Sequence, residues 1–353
     1  MTKTKILISG NEAIAEGAIQ AGCRFYAGYP ITPQNELTAY MSENMPKAGG
    51  VFIQAESELA AINMVYGAAA AGAKAMTSSS SPGISLKQEG ISYLAGAQLP
   101  AVIVNVMRGG PGLGNIAPSQ SDYFQAVKGG GHGDYKMIVL APDSVQELLD
   151  YTFLAFDLAD KYRNPACILG DGLLGQMMEP LHIPANLQPK TVEKPWALTG
   201  CRGRQPNIIR SLLLAEGALE EHNKKLQAKY AAIKAAEVRA EVFNAKDSDV
   251  MLVAYGSIAR MAKAAMEDAR AKGLKVGLIR PITLWPFPEQ IIADAAGRSG
   301  KFLVVEMSAG QMVEDVRLAV NGRAEVHFHG RMGGGIPSEA DIVERIEALY
   351  GKK

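Results

Sequence analysis

The stretch Arg24-Phe-Tyr-Ala-Gly-Tyr-Pro-Ile-Thr-Pro-Gln-Asn35 says more about the fold than any other part of the chain. Its first residues, 24–28, form a short apolar run typical of a buried strand. Two prolines then fix φ in a turn, and a helix is predicted to follow and to run to about Met45. A strand that enters a helix through a tight turn is the repeating unit of a parallel α/β sheet. Ligands of such sheets bind just beyond the carboxyl ends of the strands, so this turn is a natural binding site.

The same alternation of strand and helix continues on both sides of this stretch. Short β-branched runs predict strands at 6–9, 24–28, 51–55, 74–78, 101–107, 137–140 and 166–170, and amphipathic or Ala-rich segments predict helices that include 13–21, 58–71 and 145–162. The pattern predicts an α/β domain at residues 1–185, with a parallel sheet covered by helices on both faces.

Two further regions follow the first domain. Residues 186–245 are predicted to be a linker, because prolines precede a segment rich in Ala, Glu and Lys, 212–242, with the spacing of a connecting helix. Residues 246–353 repeat the α/β rhythm and predict a second parallel-sheet domain. Its predicted strands are 250–255, 276–280, 302–306 and 325–329, and its predicted helices are 259–272, 289–296, 313–320 and 339–349.

The composition excludes several classes of protein. The 353 residues include 36 basic and 36 acidic side chains, whereas a nucleic-acid-binding protein would show a basic excess or stripe. No stretch approaches the roughly 18 to 20 apolar residues of a membrane helix, and the apolar run near the start is too short for a signal peptide. We therefore expect a cytoplasmic protein. Cys23, Cys167 and Cys201 lie far apart, which argues against disulfides, a zinc site or an iron–sulfur cluster held by this chain alone.

Three phosphate-binding patterns are incomplete. The run 67–72 is followed by Ala and then Lys74, so the lysine of a P-loop comes one residue late. The glycines of 110–114 lack the spacing of the dinucleotide fingerprint. Residues 170–172, Gly-Asp-Gly, resemble the start of the metal–diphosphate motif of thiamine enzymes, but the paired Asn is missing, since the sequence at 198–202 reads Leu-Thr-Gly-Cys-Arg. We therefore expect no metal site in this chain.

Three polar residues follow predicted strands, and each has two interpretations. Thr32 is placed to hold an anion with its hydroxyl and helix-terminal N–H groups, or it only caps a helix. Glu58 enters an Ala-rich helix, where a partly desolvated carboxylate suits proton exchange with a heterocycle, or it is a first-turn acid stabilised by the helix dipole. Arg108 precedes a glycine-rich loop and either binds a carboxylate with its planar fork or is solvated. Their common position at one sheet edge favours a site.

These residues belong to motifs that resemble the α-subunit family of 2-oxoacid:ferredoxin oxidoreductases. The resemblance covers nearly the whole chain in the order of the family. The motifs are Gly10-Asn-Glu-Ala13, Gly28-Tyr-Pro-Ile-Thr-Pro33, Ala55-Glu-Ser-Glu58, Ser81-Pro-Gly83, Arg108-Gly-Gly-Pro-Gly-Leu-Gly114, Gly131-His-Gly133, Gly256-Ser257, Thr283-Leu-Trp-Pro-Phe-Pro288, Val305-Glu-Met307 and Gly310-Gln-Met312.

The resemblance implies a fold and a set of roles. The first domain would be the pyrimidine-side thiamine diphosphate-binding domain, and the tail would resemble the C-terminal domain of transketolases. Glu58 would hydrogen-bond the aminopyrimidine of the cofactor and help to generate its reactive carbanion, with Tyr29 and Pro30 beside the cofactor. Thr32 and Arg108 would hold the substrate carboxylate.

The resemblance also implies partner chains. A β subunit would carry the diphosphate-side domain with Mg²⁺, and γ and ferredoxin-like δ subunits would carry the iron–sulfur clusters and contact ferredoxin. The complex would convert a 2-oxoacid, coenzyme A and oxidised ferredoxin into acyl-CoA, CO₂ and reduced ferredoxin.

Two stretches, 33–35 and 120–124, look most like the branched-chain subgroup, which acts on 2-oxoisovalerate (3-methyl-2-oxobutanoate). Alternative substrates are 2-oxoglutarate, pyruvate and arylpyruvate. Alternative functions are a non-catalytic scaffold subunit and a single-chain transketolase-like enzyme. Nothing in the sequence locates the coenzyme A site.

Overall fold

The computed structural model describes residues 4–183 and 187–351, so Pro184 and the predicted boundary at 185 lie outside the described residues. The strands in chain order are β1 (Thr4–Ser9), β2 (Phe25–Gly28), β3 (Val51–Gln54), β4 (Ala75–Ser79), β5 (Val102–Met107), β6 (Ile138–Leu140), β7 (Ala166–Asp171), β8 (Met178–Ile183), β9 (Ala240–Phe243), β10 (Val250–Val253), β11 (Val276–Pro281), β12 (Thr283–Trp285), β13 (Lys301–Glu306) and β14 (Glu325–Gly330).

The α-helices in chain order are α1 (Gly10–Gln20), α2 (Asn35–Lys47), α3 (Glu58–Ala70), α4 (Ser81–Gly96), α5 (Val145–Tyr162), α6 (Gly172–Gln176), α7 (Ala218–Ala236), α8 (Gly256–Ala271), α9 (Glu289–Ala296), α10 (Met312–Val320) and α11 (Glu339–Leu349). A single π-helical turn lies at Gln125–Gly129. No α-helix in the described ranges combines the length and the apolar character needed to cross a bilayer.

A seven-stranded sheet forms the centre of the first half, in the order β12-β6-β7-β5-β4-β2-β3. All its strands run parallel except β12, which pairs antiparallel with β6. Every residue of β4, β5 and β7 is buried, as expected for strands with helices on both faces. The predicted parallel α/β class is confirmed.

Strand β1 lies outside this sheet, which corrects the prediction for residues 6–9. The strand exists, but it pairs antiparallel with β8, a strand that the sequence did not predict. The reason is visible in its side chains: Ile8 is buried, whereas Leu7 is 67% exposed. A central parallel strand would be buried on both faces, so this strand, with one covered face, suits a peripheral ribbon.

The tail forms a five-stranded sheet in the order β14-β13-β10-β11-β9, in which β9 is the antiparallel edge strand. Strand β12 leaves this tail and extends the first sheet, pairing Thr283 with Leu140. The side chain of Trp285 then packs edge-on against Tyr230 of α7, with ring centroids 5.7 Å apart. The two halves are therefore joined by β-pairing as well as by side-chain packing.

The stretch 187–217 crosses the first half without helix or strand and leads into α7. It is fastened by the backbone N–H of Leu198, which donates to the carbonyl of Ala70 at 2.8 Å. The indole of Trp196 lies 4.4 Å below the guanidinium of Arg163. Packing of this kind holds an extended segment in place without secondary structure.

Candidate active site

The candidate site lies at the carboxyl edge of the seven-stranded sheet. Strand β2 is flanked there by β3 on one side and β4 on the other, with β5 beyond β4. The chain reverses its direction of winding between β2 and β4, and such switch points open a crevice in doubly wound sheets. Thr32 follows β2, Glu58 follows β3, and Arg108 follows β5. The fold thus brings all three predicted site residues to one edge.

Glu58 is the first residue of α3, and its side chain points into the protein. The hydroxyl of Ser57 caps this helix by accepting from the N–H of Ala60 at 3.2 Å, so Glu58 is not needed as a cap. Only 6% of Glu58 is exposed, whereas the neighbouring Glu56 is exposed. Its carboxylate lies so close to Gly83 of α4 that a Cβ at that position would overlap it. A surface acid that only served the helix dipole would face solvent instead.

The guanidinium of Arg108 connects two loops of the site. Nη1 donates to the carbonyl of Thr32 at 2.8 Å, and Nη2 donates to the carbonyl of Leu113 at 3.0 Å. The side chain is 6% exposed, and within the described part of the chain its buried Nε has no acceptor. Arg108 is therefore not a solvated loop arginine, and it retains unpaired N–H groups beside the turn.

Thr32 does not cap the helix that follows it. Helix α2 begins at Asn35 with Gln34 as its N-cap, and that cap uses no side-chain hydrogen bond. The Thr32 hydroxyl is half-buried and accepts from Asn35 Nδ2 at 3.2 Å, which leaves its own proton free to donate. Tyr29, at the start of the same turn, is 39% exposed.

A buried network holds the turn after β2 against β4. Gln34 is fully buried, and its side-chain oxygen accepts from Ser78 Oγ at 2.6 Å and from Thr38 Oγ1 at 3.3 Å. The phenol of Tyr26 shares a 2.6 Å hydrogen bond with the same serine. A satisfied buried network fixes a unique geometry, and here it fixes the position of Thr32. Apart from the type of residue at Gln34, no sequence pattern indicates this role.

Asp122 is a second feature that sequence reasoning missed as a site residue. Its carboxylate accepts from Ser81 Oγ at 2.6 Å and from Asn105 Nδ2 at 2.8 Å. Burial raises the pKa of Asp122, and these two hydrogen bonds oppose that rise. Ser81 Oγ in turn accepts from the backbone N–H of Arg108 at 3.0 Å. These hydrogen bonds around Asp122 therefore position the start of α4 and the end of β5.

The carboxylate of Asp171, in the Gly-Asp-Gly motif, is fully engaged within the protein. One oxygen accepts from the N–H groups of Leu173 and Leu174, at 3.0 and 3.1 Å, and so caps α6. The other oxygen accepts from Ser257 Oγ of the tail at 2.6 Å. Burial raises the pKa of this group. Asp171 thus joins the two halves of the molecule, and its oxygens are not directed toward a ligand.

Large apolar side chains surround the site and face outward. We call them the rim residues: Tyr29, Leu59, Leu86, Leu113, Ile116 and Met332, which are between 39% and 80% exposed. The loop that carries Met332 reaches the site through Gly333, whose carbonyl accepts from Asn115 Nδ2 at 2.9 Å. Exposed apolar groups concentrated around a site are typical of a surface that another molecule covers.

Comparison with known families places this edge in a characterised domain. Residues 16–246, which contain Thr32, Glu58 and Arg108, match the thiamine diphosphate-binding domain of pyruvate flavodoxin/ferredoxin oxidoreductases. Residues 248–342 match core domain II of pyruvate:ferredoxin oxidoreductase. The chain belongs to the 2-oxoacid:ferredoxin oxidoreductase family. The predicted family is therefore confirmed.

Two relatives show where the chain lies within this family. It is 54% identical over 346 residues to the ketoisovalerate oxidoreductase subunit VorB of Methanothermobacter marburgensis, and the match covers 98% of both chains. It is 38% identical over 371 residues to the 2-oxoglutarate synthase subunit KorA of the same organism, covering 97% of this chain and 98% of that one.

Two solved structures share the fold. The 2-oxoglutarate:ferredoxin oxidoreductase of Magnetococcus marinus, solved with 2-oxoglutarate, coenzyme A and succinyl-CoA, superposes with a TM-score of 0.87 at 29% identity. That match covers 98% of this chain but only 65% of the solved chain. A split-gene transketolase, an inactive β4 tetramer, gives a TM-score of 0.62 at 14% identity, with 98% of this chain and 99% of that one covered. The second likeness concerns the fold alone, and it agrees with the transketolase-like architecture predicted above.

Proposed function

We propose that this chain is the α-type subunit of a 2-oxoacid:ferredoxin oxidoreductase and that its sheet edge holds the pyrimidine half of thiamine diphosphate. The observation that carries the proposal is the buried Glu58 carboxylate, turned inward at the switch point of the family's thiamine diphosphate-binding domain. When bound, thiamine diphosphate supplies a carbon acid whose conjugate base attacks the carbonyl of a 2-oxoacid.

Glu58 has the surroundings that proton exchange with a heterocycle requires. Its helix is capped by Ser57, so the carboxylate is free to accept a hydrogen bond from a ring N–H. Burial strengthens that bond because the local dielectric is low. Tyr29 and Pro30 lie on the exposed side of the same crevice, where they would contact the heterocycle.

Arg108 and Thr32 would hold the carboxylate of the 2-oxoacid. A guanidinium has five N–H groups, and backbone carbonyls of Thr32 and Leu113 occupy two donors of Arg108. Nε is buried and lacks an acceptor among the described residues, so a carboxylate oxygen would satisfy it. The free hydroxyl proton of Thr32 is a second donor.

The remaining parts of the enzyme are assigned to other chains. Asp171 is committed to α6 and Ser257, so the diphosphate and Mg²⁺ would be held by a β subunit that covers the rim residues. Burial raises the pKa of both Cys23 and Cys167 to about 12, and buried thiols of this kind are inert. Cys201 is exposed, but one such thiol is too few to ligate a cluster, so iron–sulfur clusters and the ferredoxin contact would belong to γ and δ subunits.

The substrate we propose is 2-oxoisovalerate, converted with coenzyme A to an acyl-CoA and CO₂ while ferredoxin is reduced. Its support is the 54% identity to a ketoisovalerate oxidoreductase subunit, compared with 38% to a 2-oxoglutarate synthase subunit. The inward-facing Glu58 and the unsatisfied Arg108 favour a catalytic chain over a scaffold, because a scaffold has no use for either.

Titration with thiamine diphosphate tests the split site. We expect weak or no binding by the isolated chain and tight binding once a β subunit is present, because this chain supplies only the pyrimidine side. Isothermal calorimetry with and without Mg²⁺ is the measurement. Tight Mg²⁺-dependent binding by the isolated chain would show that it holds the diphosphate itself, as a single-chain transketolase-like enzyme would.

The substitution Glu58→Gln tests the role of the carboxylate. It should leave assembly intact and slow exchange of the cofactor's reactive C–H with deuterated water by about 100- to 10,000-fold, the range for loss of a positioned acid–base group. Proton NMR of the reconstituted complex gives the rate. The control is Glu56→Gln, at an exposed carboxylate two residues away. Equal exchange rates in Glu58→Gln and Glu56→Gln would show that Glu58 is only a first-turn acid of α3.

A further inference from the structure

Residues 120–124 belong to the first half of the chain, but the tail holds them in place. Gln120 is fully buried, and its N–H donates to the carbonyl of Met307 at 2.8 Å, while its side-chain oxygen accepts from the N–H of Met307 at 3.0 Å. Its side-chain nitrogen donates to the carbonyl of Tyr255 at 2.9 Å, and its own carbonyl accepts from the phenol of Tyr255 at 3.1 Å. Gln120 thus binds the tail with its backbone and its side chain alike.

Gln311 of the tail holds the same segment at two further points. Its side-chain nitrogen donates to the carbonyl of Ser121 at 2.6 Å, and its side-chain oxygen accepts from the N–H of Phe124 at 2.8 Å. Gln311 is itself fixed by the buried Glu306, whose carboxylate accepts from the N–H of Gln311 at 3.2 Å. The tail therefore fixes the backbone on both sides of Asp122.

The side chain of Asp122 contacts the first half instead. A single carboxylate oxygen, Oδ2, accepts both from Ser81 Oγ at 2.6 Å and from Asn105 Nδ2 at 2.8 Å. The side-chain oxygen of Asn105 in turn accepts from the N–H of Ser81 at 3.1 Å. Asp122 therefore holds the first residue of α4 in two ways, directly through its hydroxyl and indirectly through the amide of Asn105.

The hydroxyl of Ser81 connects Asp122 to Arg108. A hydroxyl has one proton, and Ser81 Oγ lies closer to the Asp122 carboxylate, at 2.6 Å, than to the carbonyl of Arg108, at 3.3 Å. A carboxylate is also the stronger acceptor because it is charged. The proton therefore lies toward Asp122, and a lone pair of the same oxygen accepts from the N–H of Arg108 at 3.0 Å. The backbone of Arg108 is thus held two hydrogen bonds away from Asp122.

We propose that Asp122 is a positioning residue for Arg108, and that the tail sets the geometry of the substrate site by holding residues 120–124. The proposal rests on the role proposed for Arg108 in binding the 2-oxoacid, and it gives the tail a part in that role. Hydrogen bonds weaken steeply when donor and acceptor are misaligned. A displaced Arg108 would therefore bind the substrate carboxylate less well, although its guanidinium is still present.

Two substitutions separate the hydrogen bonds of Asp122 from its charge. Asp122→Leu removes the acceptor, whereas Asp122→Asn removes only the charge, because one amide oxygen can accept from both partners. In the reconstituted complex, Asp122→Leu should raise KM for 2-oxoisovalerate and lower kcat/KM about 10- to 100-fold, the effect of a misplaced binding group. Asp122→Asn should stay near the unsubstituted complex, and the affinity for thiamine diphosphate should hardly change in either variant. Equal losses of kcat/KM in both variants would overturn the proposal, because the charge would then explain the effect.

A double-mutant cycle tests whether Asp122 acts through Arg108. In the Arg108→Lys background, Asp122→Leu should lower kcat/KM far less than it does alone, because the guanidinium to be positioned is gone. Ser81→Ala breaks the connection at another point and should show the same coupling, so the test does not depend on the folding of Asp122→Leu. Fully additive losses would overturn the proposal while leaving Arg108 its role. An unchanged kcat/KM in Arg108→Lys alone would instead refute the substrate role of Arg108, and the proposal with it.

Gln311→Leu tests the part of the tail. It removes both hydrogen bonds of Gln311 to residues 120–124 and leaves Asp122 in place, so KM for 2-oxoisovalerate should rise by a smaller factor than in Asp122→Leu. The control is Arg260→Met, which removes a different contact between the two halves, the 2.8 Å ion pair of Arg260 with Glu179. Its KM should stay unchanged. An unchanged KM in Gln311→Leu, or an equal rise in Gln311→Leu and Arg260→Met, would overturn the role of the tail.

Discussion

At the scale of single residues, Arg108 connects two loops, and its buried Nε has no acceptor among the described residues. Arg108→Lys keeps the charge but cannot reproduce the planar fork. A charged hydrogen bond is worth roughly 1.5 to 3 kcal/mol, so kcat/KM for the 2-oxoacid should fall about 10- to 150-fold. Thr32→Val removes one neutral contact and should have a smaller effect.

Steady-state kinetics with 2-oxoisovalerate and 2-oxoglutarate, beside thiamine diphosphate titrations, check this expectation. The unsubstituted complex should have the higher kcat/KM with 2-oxoisovalerate, and cofactor affinity should hardly change in either variant. Weaker cofactor binding with an unchanged substrate response would move Arg108 and Thr32 out of the substrate site.

At the scale of elements, the contact between α3 and α4 depends on glycine. A methyl group at Gly90 would lie 2.6 Å from Ile62, whereas one at Gly67 of α3 would meet nothing within 4 Å. Gly90→Ala should therefore destabilise the fold by about 1 to 3 kcal/mol through overpacking. Gly67→Ala should stabilise it by about 0.5 to 1 kcal/mol, as alanine favours a helix interior. Melting temperatures that move in the same direction would contradict this account.

Helix α4 also shows what the sequence can and cannot predict. Helical spacing places Ile84, Lys87 and Ile91 on one face, and all three are buried. Residue type alone predicts the opposite for the middle of this helix, with Leu86 inside and Lys87 outside. Leu86 is instead 55% exposed, as one of the rim residues. The helical period therefore explains which residues share a face, but whether a face is buried or exposed depends on what packs against it.

The placement of the candidate site residues at one sheet edge was predictable to a similar extent. Thr32, Glu58 and Arg108 followed from their positions after strands, since carboxyl ends of parallel strands share one edge. The contact between the Arg108 guanidinium and the carbonyl of Thr32 was not predictable, because it joins backbone segments 76 residues apart. The same holds for Asp122 and for the pairing of β12 with β6. Non-local contacts of this kind leave no periodic trace in a single sequence.

At the scale of the whole molecule, Arg280 of β11 links the tail to the first half. Its guanidinium lies 3.0 Å from Asp143 and 2.8 Å from Glu241, and it also pairs with Glu147 of α5. Arg280→Met would leave three acids without their counter-charge. Loss of one partner from a buried ionic group typically destabilises a protein by about 3 to 5 kcal/mol.

The loss should depend on pH with a definite sign. Burial raises the pKa of Asp143 to about 6. The folded state is therefore favoured while this carboxyl is protonated at low pH, and that contribution to stability is lost as the pH rises through 6. Without Arg280 the ionised acids repel one another, so the melting temperature should fall more at pH 7.5 than at pH 5. The control is Arg270→Met, which removes an ion pair with the exposed Asp247 and should change stability by less than about 1 kcal/mol. A loss independent of pH would assign the role of Arg280 to packing.

The position of β12 decides how this chain can be divided. Residues 198–206 form an exposed loop, where a cut disturbs little packing. After such a cut, the first fragment would lack the strand that borders β6, and the second would carry that strand with no sheet to join. Each piece would therefore lack one β-pairing that only the other can supply. The chain could therefore serve as a split-protein reporter. Two proteins fused to the fragments would bring them together on binding each other, and reassembly of the folded α subunit would report that binding.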